Sequence, residues 1–150
     1  MMSSFRLPKP RTKWSAGKVS RRATFNAAHR LFRSDWTQGQ NEEIFGKCSN
    51  PNYHGHNYVL EVVLEGEVDP ETGYVIDLKI VKNAIQSEIS DRFDHRNLNL
   101  DCPEFKGLNP TAENIAIVAW QLMRRKIPMH LGLTIKLWET ENNCVEYAGK

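Results

Sequence analysis

Apolar residues recur at two spacings along this chain, and the change of spacing marks out its elements. Between Val19 and about His29 they alternate with polar residues, and they alternate again over a longer stretch from about His54 to Val68. In the second stretch His54, His56, Tyr58, Leu60, Val62 and Leu64 are even, whereas Asn57, Glu61 and Glu65 are odd. Strand side chains repeat every two residues, so the apolar set is predicted to share one face with both histidines. A turn-forming run, Asp69-Pro70-Glu71-Thr72-Gly73, and a short apolar step, Tyr74–Ile76, follow. Leu78, Val81, Ile85 and Ile89 then recur at spacings of three and four, which predicts a helix of about 14 residues capped by Asp77.

Elsewhere the pattern is sparser. Residues 30–47 are irregular and polar, with a short helical turn predicted around Asn41–Phe45, and Asp94 to Asn109 reads as a loop. Ile115, Val118, Ala119 and Leu122 define a second helix, opened by Pro110 and ending on Arg124, Arg125 and Lys126. Pro128 and Gly132 close it. Two more strands, Leu133–Thr140 and Cys144–Tyr147, finish the chain across Glu141-Asn142-Asn143. The order ββααββ predicts an α+β fold: an antiparallel four-stranded sheet with two helices on one face. Two open edges and an uncovered sheet face favour self-association.

Length and charge narrow this picture. With 150 residues, 40% of them hydrophobic, the chain is long enough for one domain with a real core. No run of 18 apolar residues exists, so a spanning helix is not expected, and no apolar segment of the secretory kind follows the early bases. Residues 1–22 hold seven of the 20 bases and no acid, leaving 13 bases against 18 acids, a net −5, for the rest. The overall +2 is therefore a basic arm on an acidic body, and such a body would repel nucleic acid. Residues 1–17 read as a basic N-terminal extension before a single domain spanning 18–150. A mitochondrial presequence is the alternative reading, but Pro8 and Pro10 spoil an amphipathic helix there. Three cysteines leave one unpaired under any scheme, which favours a reduced, cytoplasmic setting.

His54-Gly55-His56 is the strongest local signal. Two imidazoles at i and i+2 of a strand project to one side, about 7 Å apart at their Cα atoms, and can reach one metal ion. Spacing does not say which residue would be the third ligand. Gly55 admits a close neighbour, either backbone or ligand. Cys48, six residues upstream, could be a ligand, a base or a nucleophile, or simply a small buried residue. Cys102 and Cys144 have no such company and read as buried core residues. Asp94-His95 pairs a carboxylate with an imidazole in sequence, but neighbours in extended chain point apart and need not bond. Glu139 shares parity with Ile135 and Leu137, so it is predicted to face the core, where a carboxylate needs a partner: an internal arginine, the favoured reading, or a ligand with adjacent N–H donors. Arg21-Arg22-Ala23-Thr24 fits a basic-directed kinase consensus at Thr24.

Taken in order, these stretches resemble the 6-pyruvoyl-tetrahydropterin synthase family. The matching segments are Phe25-Asn26-Ala27-Ala28-His29, Gly46-Lys47-Cys48, His54-Gly55-His56-Asn57-Tyr58, Asp69-Pro70 with Thr72-Gly73, Asp94-His95-Arg96-Asn97-Leu98, Pro110-Thr111-Ala112-Glu113-Asn114 and Trp138-Glu139-Thr140. The resemblance covers roughly residues 19–149. It implies a tunnelling fold, whose sheets join into a barrel on trimerisation, with trimers paired as a hexamer and active sites between subunits. It implies a zinc site of His29, His54 and His56, one ion per subunit, and a catalytic Cys48. Asp94 and His95 would be its acid/base partners from a neighbouring subunit. Glu139 would anchor the pterin and belong to the acid/base machinery, and Thr111 would fall in the segment lining the pterin pocket. The implied reaction is a lyase step of tetrahydrobiopterin biosynthesis, turning 7,8-dihydroneopterin triphosphate into 6-pyruvoyl-tetrahydropterin with loss of triphosphate; Mg2+ is compatible with that triphosphate. Five residues, Ser49 to Tyr53, separate Cys48 from His54, which is the pyruvoyl-type spacing. The alternatives are a 6-carboxy-tetrahydropterin synthase-like outcome on the same substrate, and a non-catalytic module in which Cys48 closes a structural zinc site.

Overall fold

The computed structural model describes residues 16–150. Most of the expected extension, residues 1–15, lies outside them, and its last two residues, Ala16 and Gly17, already belong to the first strand. Strand β1 (Ala16–His29) pairs antiparallel with β2 (His54–Glu67) over its whole length, from Ala16 opposite Glu67 to His29 opposite His54. A further strand, β3 (Arg96–Asn97), lies parallel to β1 at Ala27 and Ala28. On the other side β2 pairs with β4 (Gly132–Thr140), and β4 with β5 (Asn143–Tyr147), giving the order β3-β1-β2-β4-β5. The sheet is thus five-stranded and mixed, not the four-stranded antiparallel sheet that the alternation predicts. Two residues are too few to carry a period of two, and β3 exists because the chain turns back along β1 at His95.

The register builds the core. Phe25 faces Tyr58, Leu60 faces Leu137, Val62 faces Ile135 and Leu64 faces Leu133, all of them buried. Each such side chain stabilises the fold by about 1.5–3 kcal/mol relative to exposure. The even residues of β2 are therefore on the core face, as their alternation requires, and the helices cover that face.

Helix α1 (Gln38–Phe45) is longer than the turn expected there, because Thr37 and Gln40 form a reciprocal capping box at its start. Helix α2 (Leu78–Ile85) is capped by Asp77 and runs on through one π turn, Gln86–Ser90, into α3 (Asp91–Phe93). Val81, Ile85, Ile89 and Phe93 are all buried. A strict spacing of four drifts across the face of a helix with about 3.6 residues per turn, and one wider turn corrects the drift. Leu78, predicted to share that stripe, is exposed instead.

The expected loop after Asp94 contains, besides β3, the short helix α4 (Leu98–Asp101) and a 3-10 turn at Pro103–Phe105. The last helix, α5 (Ala112–Arg124), packs on β4 and β5. Its cap is Thr111, whose hydroxyl accepts from Asn114 N–H, so Pro110 precedes the helix and does not open it. Of the cysteines, Cys102 is buried as expected, but Cys144 is exposed on β5, because its position in the strand points it to the uncovered face. Thr24 is exposed in mid-strand opposite Val59 on that same face. Among the described residues no helix is long and apolar enough to cross a membrane.

Candidate active site

The β1–β2 pairing brings three histidines together. His29 ends β1 directly opposite His54, which begins β2, and His56 follows on the same face. One ring nitrogen from each lies within 4.8 Å of the others, the only such group of three potential metal ligands among the described residues. Gly55 lets the strands close here: a Cβ at that position would stand 3.3 Å from the carbonyl oxygen of Ala27. The close neighbour is thus the backbone of β1. Both ring nitrogens of His54 and Nε2 of His56 are buried with no hydrogen-bond partner. Buried polar atoms are ordinarily paired, so unpaired ring nitrogens on His54 and His56, gathered with His29 around one place, are the mark of a cation site.

His29 shows how the site is set up chemically. Its Nδ1 lies 2.8 Å from the carbonyl oxygen of Pro110. A carbonyl only accepts, so the proton sits on Nδ1 and the lone pair is left on Nε2. Burial, with smaller contributions from His54 and His56 and against the upward pull of that hydrogen bond, holds the His29 pKa down at about 4. Burial and His56 also lower the pKa of His54, opposed by Glu139. Neutral imidazoles at neutral pH are the ligand form.

Glu139 keeps its predicted parity and reaches the same place. Its Oε1 is 3.6 Å from His56 Nε2, and no arginine pairs with it among the described residues. The expected internal arginine is replaced by a member of the histidine group, because Glu139 sits at the end of β4 where β2 presents His56. Cys48 lies on the 3-10 turn Gly46–Ser49, half-buried, its carbonyl accepting from Leu31 N–H at 2.9 Å. That bond ties the cysteine to the chain just beyond His29. Cys48 does not join the ligand group, which argues against its closing a structural site.

Asp94 and His95 do bond one another, contrary to the expectation for extended neighbours. His95 has φ 59°, a left-handed conformation that folds its ring back, and its Nδ1 lies 3.0 Å from Asp94 Oδ2. The other carboxylate oxygen accepts Asn26 N–H at 2.8 Å, while His95 N–H donates to the Asn26 carbonyl at 2.6 Å. The pair is thereby clamped to β1, three residues before His29, yet the His95 side chain is 83% exposed.

The Asn26 N–H, then His95, hold the Asp94 carboxyl below its usual pKa, while burial opposes them. A depressed folded-state pKa contributes stability above the unfolded value, about 3.9, that is lost as pH falls through the folded value. Asp94→Asn, which keeps an acceptor for Asn26 but cannot titrate, is therefore expected to lose less stability than wild type on going from pH 7 to below pH 4. Urea midpoints at the two pH values check this, and equal losses would contradict it.

One residue of the site was not singled out by sequence reasoning. Tyr58, placed by alternation with the core, is fully buried, and its hydroxyl reaches the His29 ring. Burial, then the charges of Glu139 and Cys48, push its pKa up. Its only sequence signal is a hydroxyl among apolar neighbours.

A sequence profile described as 6-pyruvoyl tetrahydropterin synthase matches residues 18–150. The chain belongs to that family. Among its relatives, 6-pyruvoyl tetrahydrobiopterin synthase of Homo sapiens is 41% identical over 133 residues, 89% of this chain and 92% of the relative. A further relative is named for another activity: dihydroneopterin monophosphate aldolase of Pyrococcus furiosus is 35% identical over 130 residues, 86% of this chain and 95% of that one. The solved Caenorhabditis elegans 6-pyruvoyl tetrahydropterin synthase superposes with TM-score 0.87 at 38% identity, covering 93% of this chain and all of that one. The Plasmodium falciparum 6-pyruvoyl tetrahydropterin synthase structure, at TM-score 0.67 and 18% identity over 89% of this chain and 97% of that one, shares the fold.

Proposed function

We propose that this protein is a zinc-dependent 6-pyruvoyl-tetrahydropterin synthase of tetrahydrobiopterin biosynthesis, a lyase converting 7,8-dihydroneopterin triphosphate to 6-pyruvoyl-tetrahydropterin and triphosphate. The observation that carries this reading is the group of three histidines, His29 buried and His54 and His56 half-buried, with unpaired ring nitrogens on His54 and His56 beside a half-buried carboxylate. All-imidazole donors of neutral charge suit Zn2+, which in catalytic sites takes three protein ligands and keeps one position open. Held by His29, His54 and His56, the ion would supply Lewis acidity toward the hydroxyls of the substrate side chain.

The chain's own residues then divide the work. Glu139 accepts two hydrogen bonds from the ring N–H and amino group of the pterin and fixes the ring beside the histidines. Cys48 as thiolate takes a proton from the side-chain carbon next to the ring. Asp94 holds the Nδ1 proton of His95, so that His95 Nε2 is the nitrogen free to exchange protons. Thr111 contributes to the pocket wall while its hydroxyl caps α5.

The His95 side chain is exposed, and among the described residues the sheet ends in unpaired edges at β3 and β5. Both features fit an active site completed by a second copy, in trimers paired as a hexamer, with the three sheets closed into a barrel. Light scattering of the purified protein tests that assembly. The reading also places the enzyme in the cytoplasm.

Incubation with dihydroneopterin triphosphate, followed by chromatography of the pterin, tests the function. The expected result is release of triphosphate with formation of 6-pyruvoyl-tetrahydropterin, abolished by a zinc chelator and restored by zinc. The Pyrococcus relative's name favours a second reading, an aldolase-type cleavage of a dihydroneopterin phosphate. Product identity separates the two: cleavage of the side chain from the ring, with phosphate retained on the fragment, would replace the first reading.

A further inference from the structure

His29 gives its Nδ1 proton to the Pro110 carbonyl, and something must aim that carbonyl at the ring. Tyr58 does not choose between the two nitrogens, because its hydroxyl lies 3.2 Å from Nδ1 and 3.4 Å from Nε2. Proline has a fixed φ and no N–H. The direction of the Pro110 carbonyl therefore depends on how the peptides on either side of it are anchored.

Both anchors meet at the carbonyl oxygen of Asn109. It accepts Thr111 N–H at 2.8 Å, which closes a three-residue turn over Pro110. It also accepts the side-chain amide of Asn114, from Nδ2, at 2.8 Å. A carbonyl oxygen has two lone pairs, and these two donors use both. The Asn109 carbonyl is thus held against the start of α5, while the next carbonyl, that of Pro110, is turned to His29.

Asn114 is the third residue of α5, and its own N–H goes to the Thr111 hydroxyl. In a capping box the side chain at this position accepts the N–H of the cap residue. Here that N–H goes to Asn109, and the Asn114 side chain donates to the same oxygen. Capping alone does not call for such a donor, since an acid in the first turn would have the helix dipole in its favour. A carbonyl only accepts, so holding Asn109 does call for one. Ile115 and Ala116, which follow, are fully buried and make the start of α5 a firm anchor.

We propose that Asn114 is a positioning residue that acts through Asn109 and Pro110 to keep the His29 proton on Nδ1 and the lone pair on Nε2. The inference rests on the reading of the three histidines as a metal site.

Asn114→Asp keeps the size and shape of the side chain and removes its donor. In competition with a chromophoric chelator it is expected to bind zinc about five- to tenfold more weakly, short of the roughly 10–100-fold typical of a ligand's direct partner. Metal-free protein labelled with 15N-histidine supplies a second readout by NMR. Wild-type His29 is expected to be protonated on Nδ1 alone, and the variant's ring to be divided between both nitrogens. Asn41→Asp is the control for plain loss of stability, because Asn41 is buried and donates to the Arg33 and Thr37 carbonyls. It should leave both readouts as in wild type.

Wild-type zinc affinity in Asn114→Asp, or a His29 protonation pattern unchanged from wild type, would overturn the proposal. So would an equal loss of affinity in Asn41→Asp. If wild type bound no zinc, the metal reading itself would fall and this inference with it. Should either variant not fold, wild type alone decides. Coupling between two sites is reciprocal, so zinc is expected to slow hydrogen exchange of the Asn114 side-chain amide more than that of Asn41. Equal or smaller slowing at Asn114 would overturn the proposal.

Discussion

Cys48→Ala is expected to lower kcat by about 10²–10⁴, the range for removing a general base, and to leave zinc content at one ion per subunit. The structure supports this separation of effects. Cys48 stands outside the ligand group, and the contact that fixes its segment is made by its backbone carbonyl to Leu31 N–H. Removing the thiol therefore costs neither a metal ligand nor a hydrogen bond that holds the turn. Thermal melting of the holo-variant should lie close to that of wild type. Elemental analysis and turnover on dihydroneopterin triphosphate check both halves. Loss of zinc together with loss of folding would mean that the thiol closes a structural site.

The second large effect is expected at His54. His54→Ala should abolish zinc binding, and with it turnover, yet the metal-free variant should be at least as stable as metal-free wild type. Both ring nitrogens of His54 are buried and unpaired without a ligand, so the ring carries an uncompensated desolvation cost of about 1–3 kcal/mol in the empty site. Truncation removes that cost, against a smaller loss of packing at the mouth of the strand. His29 is a useful contrast: it is fully buried and donates to Pro110, so His29→Ala should lose metal and also stability in the metal-free form. Chelator-treated samples compared by urea denaturation distinguish the two. A metal-free His54→Ala protein much less stable than metal-free wild type would show that His54 is held by structure and not kept for a ligand. Zinc retained at full stoichiometry by His54→Ala would remove the three-histidine site altogether.

Much of the fold follows from short-range rules that act within one element. Alternation in β2 placed Tyr58, Leu60, Val62 and Leu64 on the core face together with His54 and His56, because a strand has no other way to arrange them. The same parity brought Glu139 inward beside Ile135 and Leu137. Asp77 as a cap and the stripe from Val81 to Ile89 marked α2, and Ile115 to Leu122 marked α5. What escaped were features whose cause lies elsewhere in the chain. The strand β3 is two residues long and depends on the left-handed turn at His95. The Asp94–His95 bond depends on that same turn, and the partner of Glu139 depends on the β2–β4 register.

The active site divides along the same line. His54 and His56 were legible as a pair, since i and i+2 of a strand must share a face. The acid/base roles of Cys48, Asp94, His95 and Glu139 were implied by the family resemblance, since their residue types alone left them open. That His29 joins His54 and His56 in one group is invisible in spacing, because 25 positions separate it from His54 and only the antiparallel register sets them opposite one another. The lone pair on His29 Nε2 was decided by the Pro110 carbonyl, 81 residues away, and the meeting of the Tyr58 hydroxyl with the His29 ring by the β1–β2 register. Sequence by itself determined which faces are apolar and which residues carry chemistry, because those follow from local periodicity and functional groups. Only the tertiary structure decided which of those groups meet, which nitrogen is free and which polar atoms lack a partner, because each depends on contacts between residues far apart in the chain.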